Sequence, residues 1–201
     1  NGRTIVIGDI HGCHAEFEDL LHLLQPAPED RVVLLGDLVN HGPDSHRVTA
    51  VARRHGFDSL VGNHEYRLLR YRRHRDESVL KPYDFPTLAM LTGEDWDYLA
   101  GMGSYFETAD GAFVCAHGGF LPGEPWRTQS TESICNTKTV PSRLLPRGFG
   151  KPGAGDIHWS EVWEGPPTVV YGHTPRPRVD FKPFALGIDT VSIERRELPE
   201  G

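Results

Sequence analysis

An α/β fold is predicted by three observations. Apolar, β-branched runs at residues 4–7 and 32–35, with a third strand pattern at 57–61, lead into glycine and a short polar cluster, as buried parallel strands do. Between them apolar residues recur at helical spacing, Phe17, Leu20, Leu21 and Leu24 first, then Val48, Val51 and Ala52. The chain of 201 residues is 38% hydrophobic with a mean hydropathy of -0.42, enough for one domain over 1–201. It holds no apolar run near the ~20 residues of a membrane helix.

The elements follow in order. Strand 3–7 stops at Gly8, and Asp9 and His11, two apart in extended chain, point the same way. Helix 14–24 ends before Pro26 and Pro28, and its return to strand 31–35 is expected to be a right-handed crossover. Asp37 leaves that strand in Gly36-Asp37-Leu38-Val39-Asn40-His41-Gly42-Pro43, at the strand end where open α/β sheets place ligands. Helix 44–55 stops at Gly56, and strand 57–61 runs into Gly62-Asn63-His64-Glu65. Helix 66–75 carries Arg67, Arg70, Arg72, Arg73 and Arg75. The first two lie nearest Asn63 and are phosphate candidates, and the others read as a solvated face.

Residues 81–102 read as two short helices, core or lid, with Phe85, Leu88, Leu91, Trp96 and Leu99 turned inward. A hairpin of 105–108 and 112–116 around Asp110-Gly111 opens a second sheet and delivers His117. The Pro, Gly, Ser and Thr content of 123–155 predicts an irregular loop over the site, from which Lys138, Arg143 and Arg147 reach toward substrate. A short helix at 156–163 presents Trp159 and Trp163 as core anchors. Strand 168–171 ends at His173, and 184–188 and 191–193 read as edge strands.

A net charge of -7 disfavours broad attraction to nucleic acid, and no stable DNA binding is expected. The three cysteines are widely spaced, which reads as reduced thiols, and the first strand begins too early to leave room for a signal peptide. Both favour an intracellular, cytoplasmic setting. The surplus is histidine, at 11 residues, and neutral imidazole is the commonest metal ligand.

The strand exits together offer Asp9, His11, Asp37, Asn63, His117 and His173, an oxygen and nitrogen set suited to transition metals and poor for calcium. Asp9, His11 and Asp37 would hold one ion, and Asp37, Asn63, His117 and His173 a second. Two ions about 4 Å apart clamp both oxygens of an in-line displacement, so hydrolysis of a phosphate ester or anhydride is the expected reaction. His64 is placed to protonate the leaving oxygen.

Gly8-Asp9-Ile10-His11-Gly12, Gly36-Asp37-Leu38-Val39, Gly62-Asn63-His64-Glu65, His117-Gly118-Gly119 and Gly172-His173 resemble, in order and spacing, the five motifs of the calcineurin-like metallophosphoesterases. The resemblance implies a four-layer αββα sandwich of two mixed sheets flanked by helices, with two divalent metals at the strand ends. Manganese is the first expectation for these ions, with iron, zinc, nickel and cobalt as alternatives.

Protein phosphatases of that superfamily carry Asp-Arg-Gly where this chain has Asn40-His41-Gly42. The missing aspartate normally holds the acid histidine, so Asn40 would orient His64 by hydrogen bond without charge. The missing arginine is the phosphate clamp, whose task would pass to His41, Asn63, Arg67 and Arg70. Together with Gly42-Pro43-Asp44-Ser45 and Gly187-Ile188-Asp189-Thr190, the change resembles the ApaH-like branch, whose members split diadenosine tetraphosphate. The expected substrate is therefore a nucleoside polyphosphate, diadenosine tetraphosphate first and the triphosphate bridge of a capped RNA 5′ end second. A serine/threonine protein phosphatase is the alternative, and an inactive scaffold of the same fold a further one.

Overall fold

A computed structural model of the chain describes residues 2–141 and 155–190. Strands β1 (Thr4–Ile7), β2 (Arg31–Leu34) and β3 (Asp58–Ser59) pair in parallel in that order. Helices α1 (His14–Leu24) and α2 (Ser45–His55) form the crossovers. The second sheet joins β4 (Tyr105–Glu107), β5 (Phe113–Ala116), β8 (Thr168–Tyr171), β10 (Ala185–Gly187) and β9 (Asp180–Lys182), in that spatial order. It is mixed: β4 and β9 are antiparallel to their neighbours, and β5, β8 and β10 are parallel.

The strands' period of two divides the core into layers. Ile7, Val32 and Leu34 pack beneath α1 and α2 with Phe17, Val48 and Val51. The alternate residues Val33 and Leu35 face Leu60, Cys115 and Val170, so the two sheets meet back to back. Val114, Ala116, Val169 and Tyr171 turn the other way, onto Phe120, Ile134 and Trp159. This is the four-layer αββα sandwich, and it explains why these strands read as unbroken apolar runs, since both faces are covered.

Several expectations need correction. Helix α3 begins at Asn63 and runs to His74, because Gly62 is its N-cap and Glu65 reaches back to the Gly62 N–H at 2.9 Å. Asn63 and His64 thus ride on a helix's first turn. Region 81–102 does form two helices, α4 (Asp84–Met90) and α5 (Gly93–Ala100), but Phe85 faces solvent, as Leu20 of α1 partly does. The expected loop contains α6 (Thr131–Asn136), capped by Ser130, and strand β6 (Thr139–Val140). That strand pairs with β7 (Ile157–His158), so 156–163 is a strand and a 3-10 turn instead of a helix. Trp159 is fully buried, as a core anchor should be. Strand β9 was not anticipated. Arg143, Arg147 and the strand at 191–193 lie outside the described residues.

His158 links this corner to the second sheet and supplies a pH prediction. Its Nδ1 accepts the Ser160 N–H at 3.3 Å, and its Nε2 lies 3.2 Å from the Thr174 hydroxyl. Burial, with Arg176 nearby, pushes its pKa down to about 4. A lowered base titrates first in the unfolded chain, so its contribution is complete above pH 6.5 and is lost as pH falls toward 4. The unfolding midpoint of His158→Gln is therefore expected to fall less steeply than wild type across that window. Parallel thermal-unfolding curves would show the assignment to be wrong.

Candidate active site

Five non-glycine residues here hold left-handed backbone: His11, Asp37, Asn40, His41 and His173, with φ between 49° and 72°. The two other cases among the described residues, Gln25 and Arg75, are ordinary helix C-caps. Such residues cost ~1–3 kcal/mol each and persist where surrounding structure fixes them. The Asp37 carbonyl accepts the N–H groups of Ile10 and His11 at 3.1 and 2.7 Å, locking the first two strand exits together. Glu65, fully buried, accepts the N–H groups of Asp37, Leu38, Val39 and Gly62 at 2.8 to 3.2 Å. One carboxylate thereby fixes the whole turn that carries Asp37. Glycine is required at two approaches: a Cβ on Gly62 would meet Asp37 Oδ1 at 2.1 Å, and one on Gly172 would meet Asp9 Oδ1 at 2.2 Å.

Around Asp37 Oδ2 stand His117 Nε2 at 3.4 Å, His11 Nε2 at 3.6 Å and His64 Nε2 at 3.8 Å. Asp9 Oδ2 lies 4.0 Å from His11 Nε2, and Asn63 Oδ1 lies 3.1 Å from His117 Nε2. The rings of His117 and His173 are 4.9 Å apart. Two groups result, Asp9 with His11 and Asp37, and Asp37 with His117 and His173, each with ligand atoms within 4.8 Å of one another. Asp37 belongs to both. All six candidate ligands are brought together.

The donor set fits metal ions. His11 Nδ1 lies 3.1 Å from the Val39 carbonyl and His117 Nδ1 3.0 Å from that of Leu35, which fixes the proton on Nδ1 and turns each Nε2 inward. Buried acidic groups crowd together as well, and each resists ionisation unless a cation is near. Burial raises Asp9 to about 8, with Asp37 and Asp189 adding to the effect, and burial with Asp37 raises Glu65 to about 7. Burial opposes charge on His117, but Asp37 and Asp9 hold it up at about 10. Its Nε2–H then sits between Asp37 and Asn63, where a cation would.

Behind the cluster, Asn40 Nδ2 donates to Asp84 Oδ1 at 2.7 Å and lies 2.9 Å from His64 Nδ1. Turning the amide over would set its oxygen against the carboxylate, so the orientation is settled by Asp84. Arg67 Nη2 also faces His64 Nδ1, at 3.2 Å. With two donors on Nδ1, the ring carries its proton on Nε2, toward Asp37. Burial lowers its pKa to about 3 against the pull of Asp37, with His11 and Arg67 also holding it down.

This changes two expectations. Asn40 does not stand in for a vanished charge, because Asp84 supplies one a single hydrogen bond further back. Arg67 grips Asp84 through Nε at 2.8 Å and Nη2 at 2.9 Å, and lies over Tyr83, so its guanidinium is committed. Arg70, one turn on, makes no ion pair among the described residues and lines a shallow cleft with Asn63, Lys81 and Glu132. His41 packs among His11, His64 and Tyr83. Asp84, Tyr83 and the supporting role of Glu65 escaped the sequence reading. Glu65 could have been found as the acidic third residue after a helix-capping glycine.

A carboxylate shared by two histidine-containing groups at the ends of two back-to-back sheets is the arrangement that a two-metal centre requires. A family model of the calcineurin-like phosphoesterases matches residues 2–193, and the chain belongs to that family. Membership implies divalent metal ions, for which the groups around Asp37 are the candidate holders. The chain is 33% identical over 175 residues to a symmetrical bis(5'-nucleosyl)-tetraphosphatase of Delftia acidovorans, covering 79% of this chain and 59% of the relative. It is 28% identical over 176 residues to that of Nitrosomonas europaea, covering 81% and 62%. The chain thus spans about three-fifths of the length of these curated relatives. A crystal structure of a candidate diadenosine tetraphosphatase superposes with a TM-score of 0.77 at 32% identity, covering 94% of this chain and 83% of that one. A serine/threonine phosphatase from Saccharomyces cerevisiae, at 17% identity and a TM-score of 0.60, shares the fold. Among the described residues no helix is long and apolar enough to cross a membrane.

Proposed function

We propose that this chain, as one domain, hydrolyses a phosphoanhydride bond of a nucleoside polyphosphate, diadenosine tetraphosphate to two ADP being the first expectation. Asp9, His11 and Asp37 would hold one divalent ion, and Asp37, Asn63, His117 and His173 the other, manganese first. When bound, the ions supply activation of a water and charge neutralisation at the phosphoryl group. Two relatives named as bis(5'-nucleosyl)-tetraphosphatases support this substrate class.

The observation that carries the reading is the Asn40 amide donating toward His64 Nδ1. It keeps His64 neutral with Nε2–H aimed at the reacting centre, so His64, expected from the sequence to protonate the leaving oxygen, would instead offer it a hydrogen bond and hold its proton. A departing nucleoside diphosphate is a weak base and needs no more than that. A departing serine alkoxide needs a full proton, which an imidazolium held by a carboxylate supplies. Arg70, unpaired among the described residues, is left to meet outlying phosphates.

Purified protein with Mn²⁺ is expected to release ADP from diadenosine tetraphosphate much faster than phosphate from phosphopeptides. Equal rates would remove the reason for preferring polyphosphates, and cleavage of capped RNA with no nucleotide product from the tetraphosphate would favour the cap as substrate. An aspartate at position 40 would stand 2.7 Å from Asp84. Asn40→Asp alone is therefore expected to destabilise by about 1–3 kcal/mol through two buried like charges, and Asp84→Asn added to it to restore stability. Additive losses in urea denaturation would contradict the pairing.

A further inference from the structure

A third group of imidazoles stands beside the two described: His11, His41 and His64 have ring nitrogens within 4.8 Å of one another. The His11 and His41 rings meet edge-on at 4.9 Å, and His41 and His64 are 5.0 Å apart. These three do not have equal roles. His64 Nδ1 faces the donors of Asn40 and Arg67, so its Nε2 carries a proton and has no lone pair for a cation. His41 makes no ring hydrogen bond among the described residues. One face of its ring lies on Tyr83, at 4.4 Å and 36°.

The backbone holds His41 at this spot. Asn40 and His41 are consecutive left-handed residues, at φ 72° and 66°, a pairing that only a fixed turn maintains. The fixing bond is the Gly42 N–H to the His11 carbonyl at 2.7 Å, and a Cβ on Gly42 would meet that oxygen at 2.2 Å. The turn presenting His41 is thus clamped to the residue whose Nε2 faces Asp9 and Asp37.

We propose that His41 is a fourth protein ligand for the ion held by Asp9, His11 and Asp37, giving it two imidazoles and two carboxylates. The inference rests on the two-ion reading of the site. Added nitrogen favours zinc, cobalt and nickel over manganese, whose preference is oxygen. His41 would therefore set metal preference where its position otherwise suggests a phosphate contact.

The test has one arm that needs no variant. In Co²⁺-loaded wild type, each ligating imidazole keeps one exchangeable N–H that the paramagnetic ion shifts far from the diamagnetic region. Four such protons are expected in the NMR spectrum, from His11, His41, His117 and His173. Only three, with none from His41, would overturn the inference while leaving the two-ion reading intact. In the second arm, zinc and Mn²⁺ affinities are measured by chelator competition for wild type, His41→Ala and His41→Gln. The weaker or stronger zinc step, whichever belongs to this ion, is expected to lose at least the about 10–100-fold that disturbing a ligand's support costs, with Mn²⁺ binding much less affected. Unchanged zinc affinity with weakened inhibition by inorganic phosphate would make His41 a phosphate contact and overturn the proposal. Fewer than two ions bound by wild type would remove the two-ion reading and the inference together.

Discussion

Asp37→Asn is expected to abolish binding of at least one ion and to lower turnover by about 10³-fold or more, since each ion is worth several kcal/mol of transition-state stabilisation. The size of the effect follows from position. Asp37 Oδ2 lies within 3.8 Å of His11, His64 and His117 together, and both candidate ligand groups contain Asp37. An amide keeps the shape and halves the acceptor capacity. A second signature is independent of catalysis. His117 is held at about 10 against burial chiefly by Asp37, so in the metal-free variant its titration should move down toward the ordinary histidine range. Full metal loading with near-wild-type turnover would refute the bridging role, and an unmoved His117 would refute the electrostatic account.

Glu65→Gln is expected to be the most destabilising isosteric change at the site, by about 3–5 kcal/mol. Each oxygen of Glu65 accepts two backbone N–H groups, Oε1 from Leu38 and Val39 and Oε2 from Asp37 and Gly62. The glutamine NH₂ would face two of these donors with a donor of its own, leaving buried N–H groups unpaired. The turn it fixes carries Asp37 and Asn40 in left-handed backbone, so metal affinity is expected to fall along with stability. Urea denaturation in chelator, above pH 7, isolates the stability term. A loss under ~1 kcal/mol would mean that water or backbone movement can replace the carboxylate.

Most of the candidate ligands were legible in the sequence because they follow a short strand that is largely apolar, as Asp37 follows the buried Val32 to Leu35. Such strands have no polar alternation to confuse them, and they break sharply at Gly8, Gly36, Gly62 and Gly172. His117, at the end of β5, follows the same logic. Legibility ended where contacts are long-range. Asn40 and Asp84 are 44 residues apart, and nothing near Asp84 marks it as more than the start of a short helix. The outer layer of the second sheet was unreadable for a related reason. Its helix α6 has six residues and β6 and β7 two each, too short for periodicity, and they are held by burial of Ile134, Trp126 and Trp159 against the sheet. The start of α3 was misjudged because a glycine N-cap has no side chain to announce it, and Glu65 does the capping from within the helix.

The motif after Val39 remains informative about substrate, though by a different route than substitution of charge. Asp84 keeps a carboxylate in the assembly, Arg67 neutralises it, and Asn40 stands between that ion pair and His64. On the proposed function, what reaches the reacting centre would then be a hydrogen-bond donor in place of an acid. Each of these proposed roles depends on Asp37 bridging two ions. An anomalous-scattering map from a crystal of the Mn²⁺-loaded protein tests it most directly. Two peaks about 4 Å apart, one on each side of the Asp37 carboxylate, are the expected result. A single peak, or two that do not share Asp37 in an active enzyme, would contradict it.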